Sequence, residues 1–335
     1  MSNKYECNAF EYNFAILVRI PDSFQHSARK YDPNAEIDME RARQEHKDLV
    51  ETLKKCDVRT IELDATEEYP ECPFVDDCVV AIGNTALITR PGSKTRQGEV
   101  SEIRRYLQNQ MKMTIVEIKD PEAIVEGGDV LFTGKEIFVG VGTGRRTNEK
   151  GAMAVVDAFP EYNVTPINVP ATRRLKSMVS MAGWDIIAVG NSEEAAVTFK
   201  QMKNLAQYKY RILKLDSDDA ANMLYVNGRL IHRSRDEIGE KSYSVYKLEC
   251  GIHHEVVLKE LTKSGGNLIS TYTFLVILDE KITYAKHKVH FQEISSTGGY
   301  LSSAVLLINR NKKPNSIVSN ITREDTTNFS EWKAM

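Results

Sequence analysis

The sequence is poor in cysteine and contains no long apolar run. Its five cysteines form no CxxC pair and no Cys/His spacing typical of a metal site. We therefore expect reduced thiols, no metal and no cofactor. No apolar stretch approaches the roughly 20 residues of a membrane-spanning helix, and the first residues lack the apolar core of a signal peptide. These absences predict a cytoplasmic protein with no membrane segment.

Neither sign of charge dominates the chain. The 44 basic and 47 acidic side chains give 44 − 47 = −3, so no basic excess favours nucleic acid as a partner. A hydrophobic content of 41% is enough for a sizeable core, and a length of 335 residues allows one large domain or two. We predict one α/β domain over residues 1–310 and a polar tail over residues 311–335, in a monomer or a homodimer.

One structural module recurs along the chain about every 45 to 50 residues, a period typical of propeller blades and solenoid repeats. The module is an apolar strand, a turn marked by glycine or asparagine, a second strand, a polar loop and a helix. In the fourth copy the turn is Asn227-Gly228, the strongest short signal for a β-hairpin. In the third copy Ser192 is a candidate helix N-cap. The four predicted hairpins lie at residues 78–90, 130–141, 178–189 and 223–232.

The two ends of the chain supply the parts of a fifth module. An apolar strand over residues 13–19 and a helix over residues 38–55 would combine with the apolar segment 304–309. A closed ring in which the termini share one blade would pair every sheet edge, whereas an ordinary α+β sandwich remains the alternative. The segments 253–275 and 286–308 resemble each other and indicate a duplicated element. We expect the second copy to close the ring, because residues 304–309 are the more apolar strand.

Polar residues cluster at the start of two of these modules. Glu126 and Asp129 flank a Gly-Gly pair at the head of an apolar strand. Glycines allow other backbone to come close, so we expect both carboxylates to border a cleft for a cationic or proton-transferring ligand. Glu71, Asp76 and Asp77 precede the strand of the preceding module. They form either a solvated loop or a pocket for a guanidinium group, whose fork of donors matches carboxylates.

Two arginines extend this interpretation. Arg96 and Arg146 lie in the loops that follow the hairpins of consecutive modules, and in a ring of similar blades those loops lie on one face. They are either surface charges or a clamp on a ligand carboxylate. An acidic pocket beside an arginine clamp predicts a small zwitterion with a cationic side chain, such as an arginine derivative.

Six ordered motifs stand out along the chain: Phe74-Val75-Asp76-Asp77, residues 86–92, residues 127–134, Arg146-Thr147-Asn148, Leu175-Lys176-Ser177 and Ser180-Met181-Ala182-Gly183. Together they resemble the dimethylarginine dimethylaminohydrolase family of the pentein superfamily, which modifies guanidines. The resemblance runs from about residue 13 to residue 250 and resumes near the C-terminus. It implies a five-bladed α/β propeller that hydrolyses methylated arginine to citrulline and an alkylamine.

The resemblance assigns roles to individual residues. In the family a cysteine thiolate attacks the guanidinium carbon, a histidine transfers protons and an acid orients the histidine; Glu126 corresponds to that acid. Glu71, Asp76 and Asp77 resemble the carboxylates that hold the guanidinium, with Glu71 longer than the aspartate usual there. Arg96 and Arg146 resemble the arginines that hold the α-carboxylate.

The two other catalytic positions depart from the family. Arg174 stands at the position of the histidine, and Ser270 or Ser303, depending on the copy, stands at that of the cysteine. An arginine exchanges no proton near neutral pH, and its charge could repel a cationic ligand. A serine hydroxyl needs an adjacent base to become a nucleophile.

We therefore predict a family member with little or no hydrolase activity that retains some methylarginine binding. One alternative is an active hydrolase with a displaced nucleophile, either a serine or Cys250, which lies near His253 and His254. Another alternative is a regulatory or structural protein that binds no arginine derivative.

Overall fold

The described residues form five small sheets, four of them built on the predicted hairpins. The computed structural model describes residues 7–26, 36–144, 146–171, 173–249, 251–257, 289–290 and 306–308. The strands are β1 Phe14–Val18, β2 Arg59–Leu63, β3 Val79–Ile82, β4 Thr85–Ile88, β5 Thr114–Glu117, β6 Val130–Phe132, β7 Ile137–Val141, β8 Val164–Asn168, β9 Val179–Gly183, β10 Ile186–Val189, β11 Arg211–Lys214, β12 Leu224–Val226, β13 Arg229–Arg233, β14 Ile252–Val257, β15 Val289–His290 and β16 Leu306–Ile308. The helices are α1 Met39–Lys55, α2 Val100–Asn109, α3 Glu149–Ala158, α4 Glu193–Leu205, α5 Asp218–Ala221 and α6 Arg235–Glu249.

Every sheet repeats one arrangement of strands. The sheets have the orders β16-β1-β2, β3-β4-β5, β6-β7-β8, β9-β10-β11 and β12-β13-β14-β15. In each, the middle strand of the module pairs antiparallel on one side and parallel on the other. A long helix connects the two parallel strands, as such crossovers require. The architecture is the predicted five-bladed α/β propeller.

Each blade has a third strand that the predicted module of two strands and a helix does not include. These strands follow the helices, are mostly four or five residues long, and several are only half-buried; β5, for example, has exposed residues at both ends. A short strand at the rim of a blade carries little apolar periodicity, so the sequence pattern does not distinguish it from a loop.

Local signals in the sequence fix several turns and helix starts. The Ser192 hydroxyl accepts a hydrogen bond of 3.0 Å from the backbone N–H of Ala195, which confirms the predicted N-cap of α4. Asn227 and Gly228 both have positive φ, 50° and 75°, as the two central residues of a type I′ hairpin turn require. Local sequence signals therefore define the start of α4 and the turn of the fourth hairpin.

The N- and C-terminal segments meet in one blade, as predicted. Strand β1 lies between β2, with which it is parallel, and β16, with which it is antiparallel. β16 lies inside the segment 304–309, the closing strand predicted from the second copy. Only residues 253–257, 289–290 and 306–308 of the predicted duplication are described. The rest of the duplication and the tail 311–335 lie outside the described residues.

Three short 3₁₀ segments contain or directly follow candidate site residues. Val75–Cys78, Gly127–Asp129 and Leu175–Ser177 each precede the first strand of a blade, and Gly127–Asp129 packs against both of the others. At Gly127 an added Cβ would lie 2.0 Å from the carbonyl oxygen of Asp76. The predicted close approach of backbone to this glycine is confirmed. In the described part of the chain, no helix combines the length and the apolar character needed to cross a membrane.

Candidate functional site

Arg174 lies at the centre of a buried network of charged side chains. Its Nε donates to Oε2 of Glu126 at 2.9 Å, and its Nη2 lies 2.8 Å from the same oxygen. The same Nη2 donates to Oδ2 of Asp77 at 3.2 Å. The three side chains come from three blades, and each is at most 2% exposed. One guanidinium group therefore bridges two carboxylates that water does not reach.

Arg96 forms the next part of the network. Its Nε lies 3.2 Å from Oε2 of Glu71, its Nη1 donates to Asp77, and its Nη2 donates to Oε2 of Glu99 at 2.7 Å. Nη2 also donates to the carbonyl oxygen of Phe74 at 3.3 Å. Asp77 therefore accepts hydrogen bonds from both Arg96 and Arg174, which joins the two clusters.

Arg146 is held by Asp129. Its Nη2 lies 2.8 Å from both carboxylate oxygens, and its Nε lies 3.8 Å from Glu126. Asp129 also accepts from the Thr147 hydroxyl at 2.7 Å and from the backbone N–H of Leu175 at 3.0 Å. The carboxylate thus fixes Arg146 and the segment that carries Arg174 at the same time.

Burial and charge act against each other throughout this network. Burial raises the pKa of Glu99 to about 7, although the neighbouring Arg96 lowers it. Burial likewise raises the pKa of Asp129, against the opposing effect of Arg146. Burial alone would lower the pKa of Arg96, but Glu99, Asp77 and Glu71 together raise it well above its usual value. Arg96 therefore stays charged, and the raised pKa values make Glu99 and Asp129 the acids of this site that hold a proton more readily than usual.

Asp76 forms an ion pair with a lysine. Its Oδ1 lies 2.7 Å from Nζ of Lys176, whose carbonyl oxygen accepts from Nδ2 of Asn222. Both charged residues line a cavity of about 120 Å³ whose walls are mainly apolar and include Phe132 and Tyr225. The cavity also touches Gly83 in a hairpin turn and Gly127, which follows Glu126 in the sequence.

Comparisons with known proteins agree with the motifs. A model of the family described as "N,N dimethylarginine dimethylhydrolase, eukaryotic" matches residues 14–228. The chain belongs to this family. A Bos taurus relative named "Putative hydrolase DDAH2" is 33% identical over 264 residues, which cover 76% of this chain and 92% of the relative. The N(G),N(G)-dimethylarginine dimethylaminohydrolase of Pseudomonas aeruginosa is 25% identical over 224 residues, 65% of this chain and 85% of that protein.

Solved structures show the same fold. A mutant of dimethylarginine dimethylaminohydrolase from Pseudomonas aeruginosa, complexed with citrulline, superposes with a TM-score of 0.67 at 19% identity. The match covers 89% of this chain and 99% of that one. The cyanobacterial arginine dihydrolase ArgZ gives a TM-score of 0.70 at 14% identity, over 92% of this chain and 42% of ArgZ. The chain therefore has the pentein fold of this family.

Within the family fold, most of the predicted site residues come together. Glu71, Asp77 and Arg96 form one cluster, Glu126 and Arg174 join it through Asp77, and Arg146 lies beside Glu126. The guanidinium groups of Arg96 and Arg146, predicted to clamp a ligand carboxylate, are engaged by carboxylates of the protein. Their role toward a ligand, like that of Glu71, Asp76 and Asp77, stays a prediction.

Two acids of the network, Asp129 and Glu99, have no role predicted from the sequence. Asp129 was expected only to border the cleft beside Glu126, and Glu99 was not singled out. A signal for Glu99 existed, because it follows Arg96 by three positions, the spacing at which helical neighbours form ion pairs. No local signal links Asp129 to Leu175, which is 46 positions away.

The nucleophile positions Ser270 and Ser303, and Cys250, lie outside the described residues. Among the cysteines whose side chains are described, all are buried. Burial raises the pKa of Cys56 to about 11, that of Cys72 to about 12 and that of Cys78 well above its usual value. These thiols are not poised to form a thiolate at neutral pH. Across the described residues, no group of three or more His, Cys, Asp or Glu side chains could hold a metal ion.

Proposed function

We propose that this chain is a non-catalytic member of the dimethylarginine dimethylaminohydrolase family. The observation that carries the proposal is the position of Arg174. By the motif that follows it, this residue replaces the family histidine, and its guanidinium is bonded to Glu126 and Asp77. The acid that would orient a histidine is thereby neutralised by an arginine.

The chemistry of the remaining groups supports the proposal. Hydrolysis through a covalent intermediate needs a nucleophile and a group that transfers protons. Arginine stays protonated at neutral pH, and by sequence a serine stands at the nucleophile position. General acid–base catalysis alone is typically worth about 10²–10⁴-fold in rate. We therefore expect turnover at least about 10⁴-fold below that of an active relative.

Citrulline formation tests this proposal. The purified chain is incubated with dimethylarginine and monomethylarginine, and citrulline is measured against the Pseudomonas aeruginosa enzyme and against buffer. We expect no citrulline above the buffer control. Robust turnover would overturn the proposal, and loss of that turnover in Cys250→Ala would establish the displaced nucleophile instead.

Retained binding of methylarginine is a separate hypothesis. Arg174 already supplies a guanidinium to Glu126 and Asp77, which favours the alternative that the unmodified chain binds no arginine derivative. Isothermal titration calorimetry with methylated arginines at millimolar concentration separates the two. Heat of binding to the unmodified chain would support retained binding, and its absence would support the alternative.

A further inference from the structure

Arg174 is buried and contacts residues far away in the sequence, as a bound ligand does, whereas an ion pair on the surface is exposed to solvent. Its guanidinium is 2% exposed and bonds to Glu126 and Asp77, which are 48 and 97 positions away in the sequence. The two carboxylates are themselves buried and are held by neighbouring blades. The ring of blades, and not the loop that carries Arg174, therefore forms the receiving site.

The charge balance of the network depends on this one side chain. Five acidic side chains, from Glu71, Asp77, Glu99, Glu126 and Asp129, surround three guanidinium groups. Removal of Arg174 takes from Glu126 and Asp77 the hydrogen bonds that its guanidinium donates to them. A buried carboxylate that loses such a partner is unfavourable, so the emptied site favours a cation, and its hydrogen-bond acceptors favour a planar one.

We propose that Arg174 is an internal ligand that occupies a guanidinium-binding site, and that shortening this side chain creates a site for small guanidinium cations from solution. The inference deepens the proposed function and rests on it for the identity of the site. It assigns a ligand class, terminal guanidinium groups, and a reason why the unmodified chain does not take one up: the site is already filled.

N-Ethylguanidinium is the appropriate probe. Arg174→Ala removes the side chain beyond Cβ, and N-ethylguanidinium contains the same carbon and nitrogen atoms, from Cγ to the two terminal nitrogens. N-Ethylurea has a similar shape but no charge, so it separates recognition of the cation from simple filling of the cavity. Sodium chloride at equal concentration controls for ionic strength.

Thermal unfolding of the full chain tests the inference. Ligand binding to the folded state raises the Tm according to ligand concentration relative to Kd. For a Kd on the order of 1 mM, 20 mM N-ethylguanidinium should raise the Tm of Arg174→Ala by about 2–3 °C and saturate. We expect no saturable rise for the unmodified chain, for Arg174→Ala with N-ethylurea, or for Arg19→Ala, which removes an exposed ion pair with Asp64. The rise should weaken when Glu126→Gln is added to Arg174→Ala.

Three results would overturn the inference: no rise in Arg174→Ala, an equal rise in the unmodified chain, or an equal rise with N-ethylurea. If Arg174→Ala does not fold without the probe, its refolding decides, because N-ethylguanidinium must then restore the folded state and N-ethylurea must not. These readouts do not depend on turnover. Citrulline production by the unmodified chain would contradict the proposed function. The thermal shift would still test separately whether Arg174 acts as an internal ligand.

Discussion

The strongest energetic prediction concerns the ion pair between Arg174 and Glu126. Arg174→Met keeps an unbranched side chain but removes the charge that faces Glu126 and Asp77. Two unit charges about 4 Å apart attract by about 4 kcal/mol at an effective dielectric constant of about 20. Removing one partner of a buried pair typically destabilises a protein by about 3–5 kcal/mol, because the other charge stays buried. Both estimates predict a loss of that size here.

The expected change in Tm follows from the size of the chain. With an unfolding entropy of about 2.1 cal/mol/K per residue, 335 residues give about 0.7 kcal/mol/K. A loss of about 3–5 kcal/mol should therefore lower the Tm of Arg174→Met by about 4–7 °C. Glu126→Gln in the same chain removes the negative charge that has lost Arg174, so the double variant should recover much of that loss.

A double-mutant cycle measured by urea unfolding gives the coupling energy directly. We expect coupling of at least about 2 kcal/mol between the two substitutions. The reasoning would be refuted by a coupling near zero, or by an Arg174→Met variant as stable as the parent. Either result would mean that Arg174 does not hold Glu126 in the folded protein.

Three further predictions concern titration, packing and ring closure. Because burial raises the pKa of Glu99 from 4.5 to about 7, the stability that its proton provides is lost as pH rises through that window. One unit of pKa shift corresponds to about 1.4 kcal/mol. The free energy of unfolding of the parent, relative to that of Glu99→Gln, should therefore fall by up to about 3 kcal/mol between pH 4.5 and 7 in urea unfolding. A difference that does not change with pH would contradict the assigned pKa. Gly127→Ala should lower the free energy of unfolding by about 1–3 kcal/mol or more, because its Cβ would lie 2.0 Å from backbone. In the control Gly251→Ala, the Cβ meets nothing within 4 Å, so this variant should unfold like the parent. Equal urea midpoints for the two variants would contradict the close approach at Gly127. Deletion of residues 311–335 should leave the Tm unchanged. Deletion of residues 301–335 also removes β16, so it should lower the Tm and promote aggregation by exposing the edge of β1. Equal Tm values for the two truncations would contradict the role of β16 in closing the ring.

The fold follows from the sequence because its signals are local and repeated. Each hairpin has an apolar strand on either side of a turn residue that tolerates positive φ, and the strands lie where the pattern predicts them. Repetition of one module then leaves few ways to pair the edges, which is why the sharing of one blade by the two termini could be predicted. The third strands could not, because a short, half-exposed strand resembles a loop in one sequence.

The partners within the site were decided by the tertiary structure. The sequence identified Glu126, Asp77, Arg96 and Arg146 as parts of one charged site, and it placed an arginine at position 174 where the family has a histidine. It left open whether Arg174 repels a ligand from the site or fills the site itself. The direction of the Arg174 side chain depends on where two other blades place Glu126 and Asp77. Glu126 is 48 positions away from Arg174 in the sequence. Only the closed ring brings the carboxylates together, and burial then favours the pairing that neutralises them.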